Sequence, residues 1–163
     1  MAKPMTIGAR GEAQETVTFQ QTLTAHHPSL PPVYSTPDMI RLMETAAFHA
    51  LQPYCEGDEI TVGTAINIEH RAASGVGARI TAEAILEAFD GRFYKIRVTA
   101  RDDEQEIGRG TVGRAVVSVG KFLENNEEGA RKLAAAVSTA VLSFWGGEYA
   151  MGCCEPSDLR RKR

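Results

Sequence analysis

The chain has 163 residues, 43% of them hydrophobic and 24% charged, with a formal net charge of −3. That composition fits one soluble globular domain with a buried core and excludes the strongly basic face of a nucleic-acid binder. The longest apolar-leaning stretch, Leu133–Trp145, is too short to cross a bilayer, which takes roughly 20 residues.

Residues 1–14 carry Pro4, Gly8 and Gly11 without periodicity and are expected to be a loose leader. They lack the apolar run of a secretory signal. Three cysteines, Cys55, Cys153 and Cys154, make an odd count with no zinc-like spacing. The expectation is a cytoplasmic protein with free thiols, no metal and no cofactor.

From Thr16 to Thr24, Val17, Phe19 and Leu23 alternate with threonines, which predicts a strand. His26–Pro32 reads as a loop. A helix is expected from Thr36 to about Gln52, with Thr36 as N-cap, Pro37 in the first turn and Pro53 as the stop. Its apolar face would hold Ile40, Glu44, Ala47, Phe48 and Leu51, and its polar face Asp38, Arg41, Thr45, His49 and Gln52.

Four strands are predicted next: Thr61–Arg71, Ala78–Ala88, Phe93–Arg101 and Ile107–Val119. In the first, the even positions Val62, Thr64, Ile66, Ile68 and His70 would face inward. In the hairpin, a three-residue loop of Phe89-Asp90-Gly91 keeps inward positions opposite one another and sets Glu83 across from Arg97. The fold class is therefore α+β, one early helix packed on antiparallel strands. The expected core domain is residues 15–120. Residues 121–163 form an extension whose helix would start near Asn125–Glu128, carry Leu133, Val137, Ala140, Val141 and Phe144 as a stripe, and stop at Gly146-Gly147.

Two polar residues sit on faces predicted to be buried. Glu44 lies between Ile40 and Phe48, and His70 ends the inward row of its strand. Burying an acid or an imidazole costs desolvation unless a partner offsets it. A lone inward histidine is more often a hydrogen-bonded core residue than a catalyst, and Thr36 taken alone is a helix cap. If the groups converge, an acid and an imidazole can activate water or a nucleophile, and a helix N-terminus can stabilise an oxyanion. That kit suits acyl transfer. Gly75-Val76-Gly77 is too short for a phosphate loop, and no Gly-x-Ser-x-Gly elbow is present.

The stretch from Val33 through Thr36 and Glu44 to Ala47, followed by Val62-Gly63-Thr64 and His70, resembles the hotdog thioesterases related to fluoroacetyl-CoA thioesterase. The resemblance covers about Gly11–Val119. It implies a hotdog fold, a long central helix wrapped by a curved antiparallel sheet, and a homodimer with active sites at its interface. It implies hydrolysis of a short or medium acyl-CoA thioester to acid and free CoA, with Thr36, Glu44 and His70 catalytic and with Gly63, Thr64 and Arg114 binding substrate. Taken alone, Arg114 reads equally well as an exposed strand arginine. The segment His26–Pro32 lacks the phenylalanines that close over the acyl group in the fluoroacetyl-CoA enzyme. A non-catalytic acyl-CoA or small-ligand binding module on the same fold is the alternative. A membrane or nucleic-acid partner is not expected.

Overall fold

The computed structural model describes residues 5–128 and 131. The chain divides into two compact units, residues 1–122 and 123–163. The first unit holds a strand β1 (Arg10–Thr16), a short helix α1 (Leu23–His26), the long helix α2 (Thr36–Leu51), and four strands, β2 (Glu59–His70), β3 (Arg79–Phe89), β4 (Tyr94–Arg101) and β5 (Glu106–Ser118). All strand pairings are antiparallel, in the order β1-β3-β4-β5-β2, so β1 and β2 are the two edges. Helix α2 touches all five strands, chiefly β1 and β3. One helix can reach five strands only if the sheet curls around it, which is the α+β architecture that the resemblance implies.

The core is the layer between α2 and this sheet. Met39, Met43 and Leu51 on the helix meet Ile80, Leu86, Ile96, Val98 and Val112 on the strands, all fully buried. Each such side chain contributes about 1.5–3 kcal/mol relative to leaving it in water. The even-numbered inward rows of β3 and β4 are as the alternation predicts for Ile80, Ala82, Ala84 and Leu86 with Tyr94, Ile96, Val98 and Ala100, but Ala88, also predicted inward, lies beyond a bulge and is exposed.

The first strand lies earlier than predicted. Residues 10–14, expected in a loose leader, pair with β3 from Arg10↔Ile85 to Gln14↔Thr81, and the strand runs on to Thr16↔Arg79. Gly11 makes this packing possible, because a Cβ there would stand 2.3 Å from the Ala46 carbonyl oxygen on α2. The threonines of the predicted strand act locally instead. Thr18 and Gln21 bond each other across a single helical turn, and Thr22 caps α1 by accepting from the Ala25 amide. Short hydroxyl side chains compete for backbone groups in this way, which overrides their strand preference.

The buried face of α2 is rotated from the predicted one. It consists of Met39, Leu42, Met43, Ala46, Ala47, Ala50 and Leu51, which leaves Ile40, Glu44 and Phe48 partly exposed along its border. Strand β2 is also read differently. A bulge between Gly63 and Ala65 shifts its register against β5, so Thr61 rather than Val62 is buried, and Thr64 is exposed. The extra residue of a bulge exchanges the faces of everything beyond it.

The β3–β4 hairpin departs from the three-residue loop. Phe89 pairs with Tyr94, a second bulge falls between Leu86 and Ala88, and Glu83 stands opposite Thr99. Arg97 instead bonds Glu87 at 2.8 Å. Gly91 is in the left-handed region, as the loop requires.

After β5, residues 119–122 are helical, ahead of the expected start at Asn125. Asp58, on the turn before β2, supplies the signal. Its carboxylate accepts from the Ser118 hydroxyl at 2.7 Å and from the Gly120 amide. A capping group so far away in sequence is invisible to local reading. In the second unit, 123–128 and 131 are helical. The Leu133–Phe144 stripe and its glycine stop lie outside the described residues, as do Cys153 and Cys154.

Candidate active site

The N-terminus of α2 is built from four elements. Ser35, fully buried, is the N-cap and accepts from the Asp38 amide at 3.2 Å. Its own amide donates to the Gln21 carbonyl, and the Tyr34 amide donates to Ser74, 2.8 Å each. The buried Tyr34 hydroxyl donates to Glu15 on β1, which also accepts from Arg41 on α2. Arg41 in turn lies 3.8 Å from Asp38. Burial among these groups, with the Glu15 hydrogen bond next, pushes the Tyr34 hydroxyl well above its ordinary range, so it stays a donor.

The cap therefore belongs to Ser35, not to Thr36 as the sequence suggests. Thr36 stands at the first helical position, and its hydroxyl is free to reach across to β2. Its Oγ1 lies 2.9 Å from Nδ1 of His70. Burial holds the His70 imidazole below its ordinary value of 6.5, with a hydrogen bond to the Ala72 backbone opposing. The neutral ring is thus favoured near pH 7. Its other nitrogen, Nε2, is buried and has no hydrogen-bond partner among the described residues. A buried polar atom left unpaired costs free energy that a ligand or a water can return. The ring borders a cleft of about 290 Å³ lined by Leu23, Val33, Tyr34, Thr36 and Ala72.

Two turns along α2, Glu44 forms a second cluster. Its side chain is 30% exposed and its Oε1 accepts from Nη1 of Arg114 on β5 at 3.3 Å. Arg114 is only 6% exposed, so its reading as an exposed strand arginine fails. Its Nε and Nη2 donate to the hydroxyl and carbonyl of Thr61 at 3.0 and 2.8 Å. Burial lowers the affinity of this guanidinium for its proton, and the Glu44 charge works in the opposite direction. The group remains a cation, since arginine starts so far above neutral pH. The carboxylate also faces Gly63, where a Cβ would come within 2.6 Å of Oε1. Glycine there lets an acid and a bare strand backbone share one small space. An open groove of about 450 Å³ runs from Pro37 past Ile40 and Glu44 to Phe48 and Arg114.

The structure joins Thr36 to His70, and Glu44 to Arg114 and Gly63. It does not bring these two groups into contact within one chain. Thr36 and Glu44 are about 12 Å apart along the helix at 1.5 Å per residue. Thr64 stands apart from both, over Gly113 in a separate groove. Thr61, which anchors Arg114, is missed by the predicted parity of β2, and only recognition of the bulge would have found it. Among the described residues, no cluster of His, Cys, Asp and Glu could hold a metal, and no helix is long and apolar enough to cross a membrane.

Comparison with known proteins gives a consistent result. Residues 16–120 match the family model described as fluoroacetyl-CoA-specific thioesterase. The fluoroacetyl-CoA thioesterase of Streptantibioticus cattleyicolor is 44% identical over 92 residues, which cover 56% of this chain and 66% of that protein. The chain thus spans about two thirds of that relative's length. A solved structure of the fluoroacetyl-CoA thioesterase superposes with a TM-score of 0.72 at 35% identity, covering 77% of this chain and 98% of the other. A Thermus thermophilus member of the thioesterase superfamily superposes with a TM-score of 0.76 at 24% identity, covering 81% and 98%, a likeness of fold alone.

Proposed function

The chain belongs to the fluoroacetyl-CoA-specific thioesterase family, thioester hydrolases on the hotdog fold, and from that premise we propose that it hydrolyses a short or medium acyl-CoA to the acid and free CoA with Glu44 and His70 assisting. The observation that carries this reading is the Glu44 cluster. A carboxylate anchored by a buried arginine stands against a strand position without a side chain. A thioester carbonyl can approach the backbone there, with the Gly63 N–H as its oxyanion contact. Glu44 then activates water or attacks the carbonyl carbon, and the C–S bond breaks as the tetrahedral intermediate collapses. His70, neutral and fixed through Nδ1 by Thr36, takes up at Nε2 the proton that the consumed water gives up and passes it to the departing thiolate. Arg114 positions Glu44 and does not react.

A second copy of the chain completes this site. Among the described residues strand β2 is a free edge, and Ile66 at its middle is 52% exposed. An exposed apolar edge strand is a ready template for pairing. If two β2 edges join antiparallel about residues 66–67, Gly63 of one chain comes opposite His70 of the partner subunit. The Glu44 cluster of one copy then meets the Thr36–His70 pair of the other. A cytoplasmic location fits the substrate class and the free Cys55 thiol.

The test is thiol release from acyl-CoAs of increasing chain length. The reading predicts turnover of short or medium chains and its loss in Glu44→Gln. The absence of phenylalanine from His26–Pro32 favours acyl groups other than fluoroacetyl, and it also suits a module that binds without turnover. Acyl-CoA binding with no thiol released from any chain length would select that second reading.

A further inference from the structure

The groove that carries Glu44 ends on an aromatic ring. Ile40 and Phe48 stand one helical turn before and after Glu44 on α2, about 6 Å along the axis in each direction. Both are half-buried, and the groove runs past all three. Its two ends differ. Toward Ile40 it reaches Pro37, which is exposed. Toward Phe48 it meets the buried Arg114, whose guanidinium carbon lies 6.0 Å from the Phe48 ring centre.

The strand side closes at the same end. Gly63 offers bare backbone opposite the Glu44 carboxylate. Thr61, two residues before it, is buried and holds Arg114 through both its hydroxyl and its carbonyl. The space left by the missing Cβ at Gly63 is thus filled again one step along β2. The Phe48 ring is held from its other side by His49, with ring centroids 5.9 Å apart and planes tilted by 55°. A guanidinium bonded along its edges leaves its face to an aromatic neighbour. Ring and cation together make one stiff wall.

A thioester whose carbonyl lies against Gly63 must send its CoA half toward the open side of the groove, where a long polar arm stays in water. The acyl half then points at the wall. We propose that Phe48 is the chain-length gauge of this site: its ring, backed by Arg114, ends the acyl pocket about one helical turn from Glu44 and restricts the substrate to short acyl groups. The proposal rests on the acyl-CoA reading above and deepens it by choosing short chains over medium ones. It also gives α2 the aromatic wall that His26–Pro32, without a phenylalanine, does not supply.

The experiment measures kcat/KM for thiol release from acetyl-CoA and octanoyl-CoA and takes their ratio within each protein, so that any loss of folded material cancels. The wild type favours acetyl-CoA. Phe48→Leu shifts the ratio toward octanoyl-CoA about tenfold and Phe48→Ala shifts it further, since space for one methylene in an apolar pocket is worth that much. Phe48→Leu keeps an apolar side chain on α2 and decides the matter alone if the alanine variant fails to fold. A wild type that takes octanoyl-CoA as readily as acetyl-CoA, or a ratio unchanged by the substitutions, overturns the gauge and leaves Phe48 as packing. Calorimetric titration of Glu44→Gln with the same two ligands, with and without Phe48→Leu, reads the ratio in binding and separates the two ideas. Binding that relaxes toward octanoyl-CoA in the double variant, with no thiol released by the wild type, sinks the hydrolase reading and keeps the gauge. Turnover with an unmoved ratio does the reverse.

Discussion

Thr36 and Glu44 lie on one helix, yet the surroundings of the two are built differently. Around Thr36 the chain closes a ring of hydrogen bonds and ion pairs through Tyr34, Glu15, Arg41, Asp38 and Ser35, drawn from β1, the preceding loop and α2. Around Glu44 a single buried arginine does the holding, and the carboxylate keeps 30% of its exposure. The first arrangement fixes an imidazole and its hydroxyl partner before any substrate arrives. The second leaves an acid partly open to solvent against a bare glycine. A proton-transfer group gains from a fixed geometry.

The largest expected effect follows from removing the acid Glu44. Glu44→Gln keeps the shape and an oxygen for Arg114, so thermal stability stays close to wild type. Its kcat/KM in thiol release falls about 10³-fold, within the range for loss of a general base or nucleophile. Arg114→Ala attacks the same cluster through its anchor. It strands the buried Thr61 groups and frees Glu44, and denaturant titration should show about 2 kcal/mol lost. That figure allows for the partial solvation of Glu44. Arg114→Lys recovers little, because an ammonium cannot reproduce the forked donor set.

The fixed end responds through its frame. Gly11→Val forces a side chain into the backbone of α2 at Ala46 and Ala50. The strand that carries Glu15 is pushed away, at a cost of about 1–3 kcal/mol in thermal or denaturant unfolding. Thr36→Val removes the hydroxyl from Nδ1 of His70 and slows kcat about tenfold, equal to one hydrogen bond of about 1.4 kcal/mol. Thr36→Ser restores most of it. If Thr36→Val matched wild type, the hydrogen bond would be structural only.

The smallest effect is on pH. The folded chain holds His70 below its ordinary value of 6.5 through burial. Below that value the unfolded chain binds this proton more readily than the folded one does. The contribution of His70 to stability is therefore complete above pH 6.5 and is lost as pH falls through the lower folded value. The acid limb of the wild-type kcat/KM attributable to His70 should also lie below 6.5, and His70→Ala should remove the dependence of stability.

Much of this contrast is legible in the sequence, and its gaps have physical causes. Period-two alternation gives β3 and β4, and the Ser-Thr-Pro-Asp run locates the start of α2. Glu44 and His70 stand out as polar residues on buried or half-buried faces. The bulge at Gly63–Ala65 hides Thr61, because local alternation cannot register an extra residue set by pairing with β5. The cap on Ser35 leaves Thr36 to His70, a choice made by tertiary contacts on both sides. Arg114 looks solvent-facing until its partners on α2 and β2 are in place. Gly11 reads as part of a loose leader because the helix it packs against is remote in sequence.

Under the proposed function, two half-sites, separated within one chain, work together between two copies. Mixing Glu44→Gln and His70→Ala proteins under conditions that allow subunit exchange tests this most directly. Each variant alone should be nearly inactive in thiol release. In a mixed dimer, one interface receives an intact Glu44 from one chain and an intact His70 from the other. Activity should appear on mixing, approaching a quarter of wild type. Activity no greater than the sum of the separate variants, with exchange verified, would contradict it.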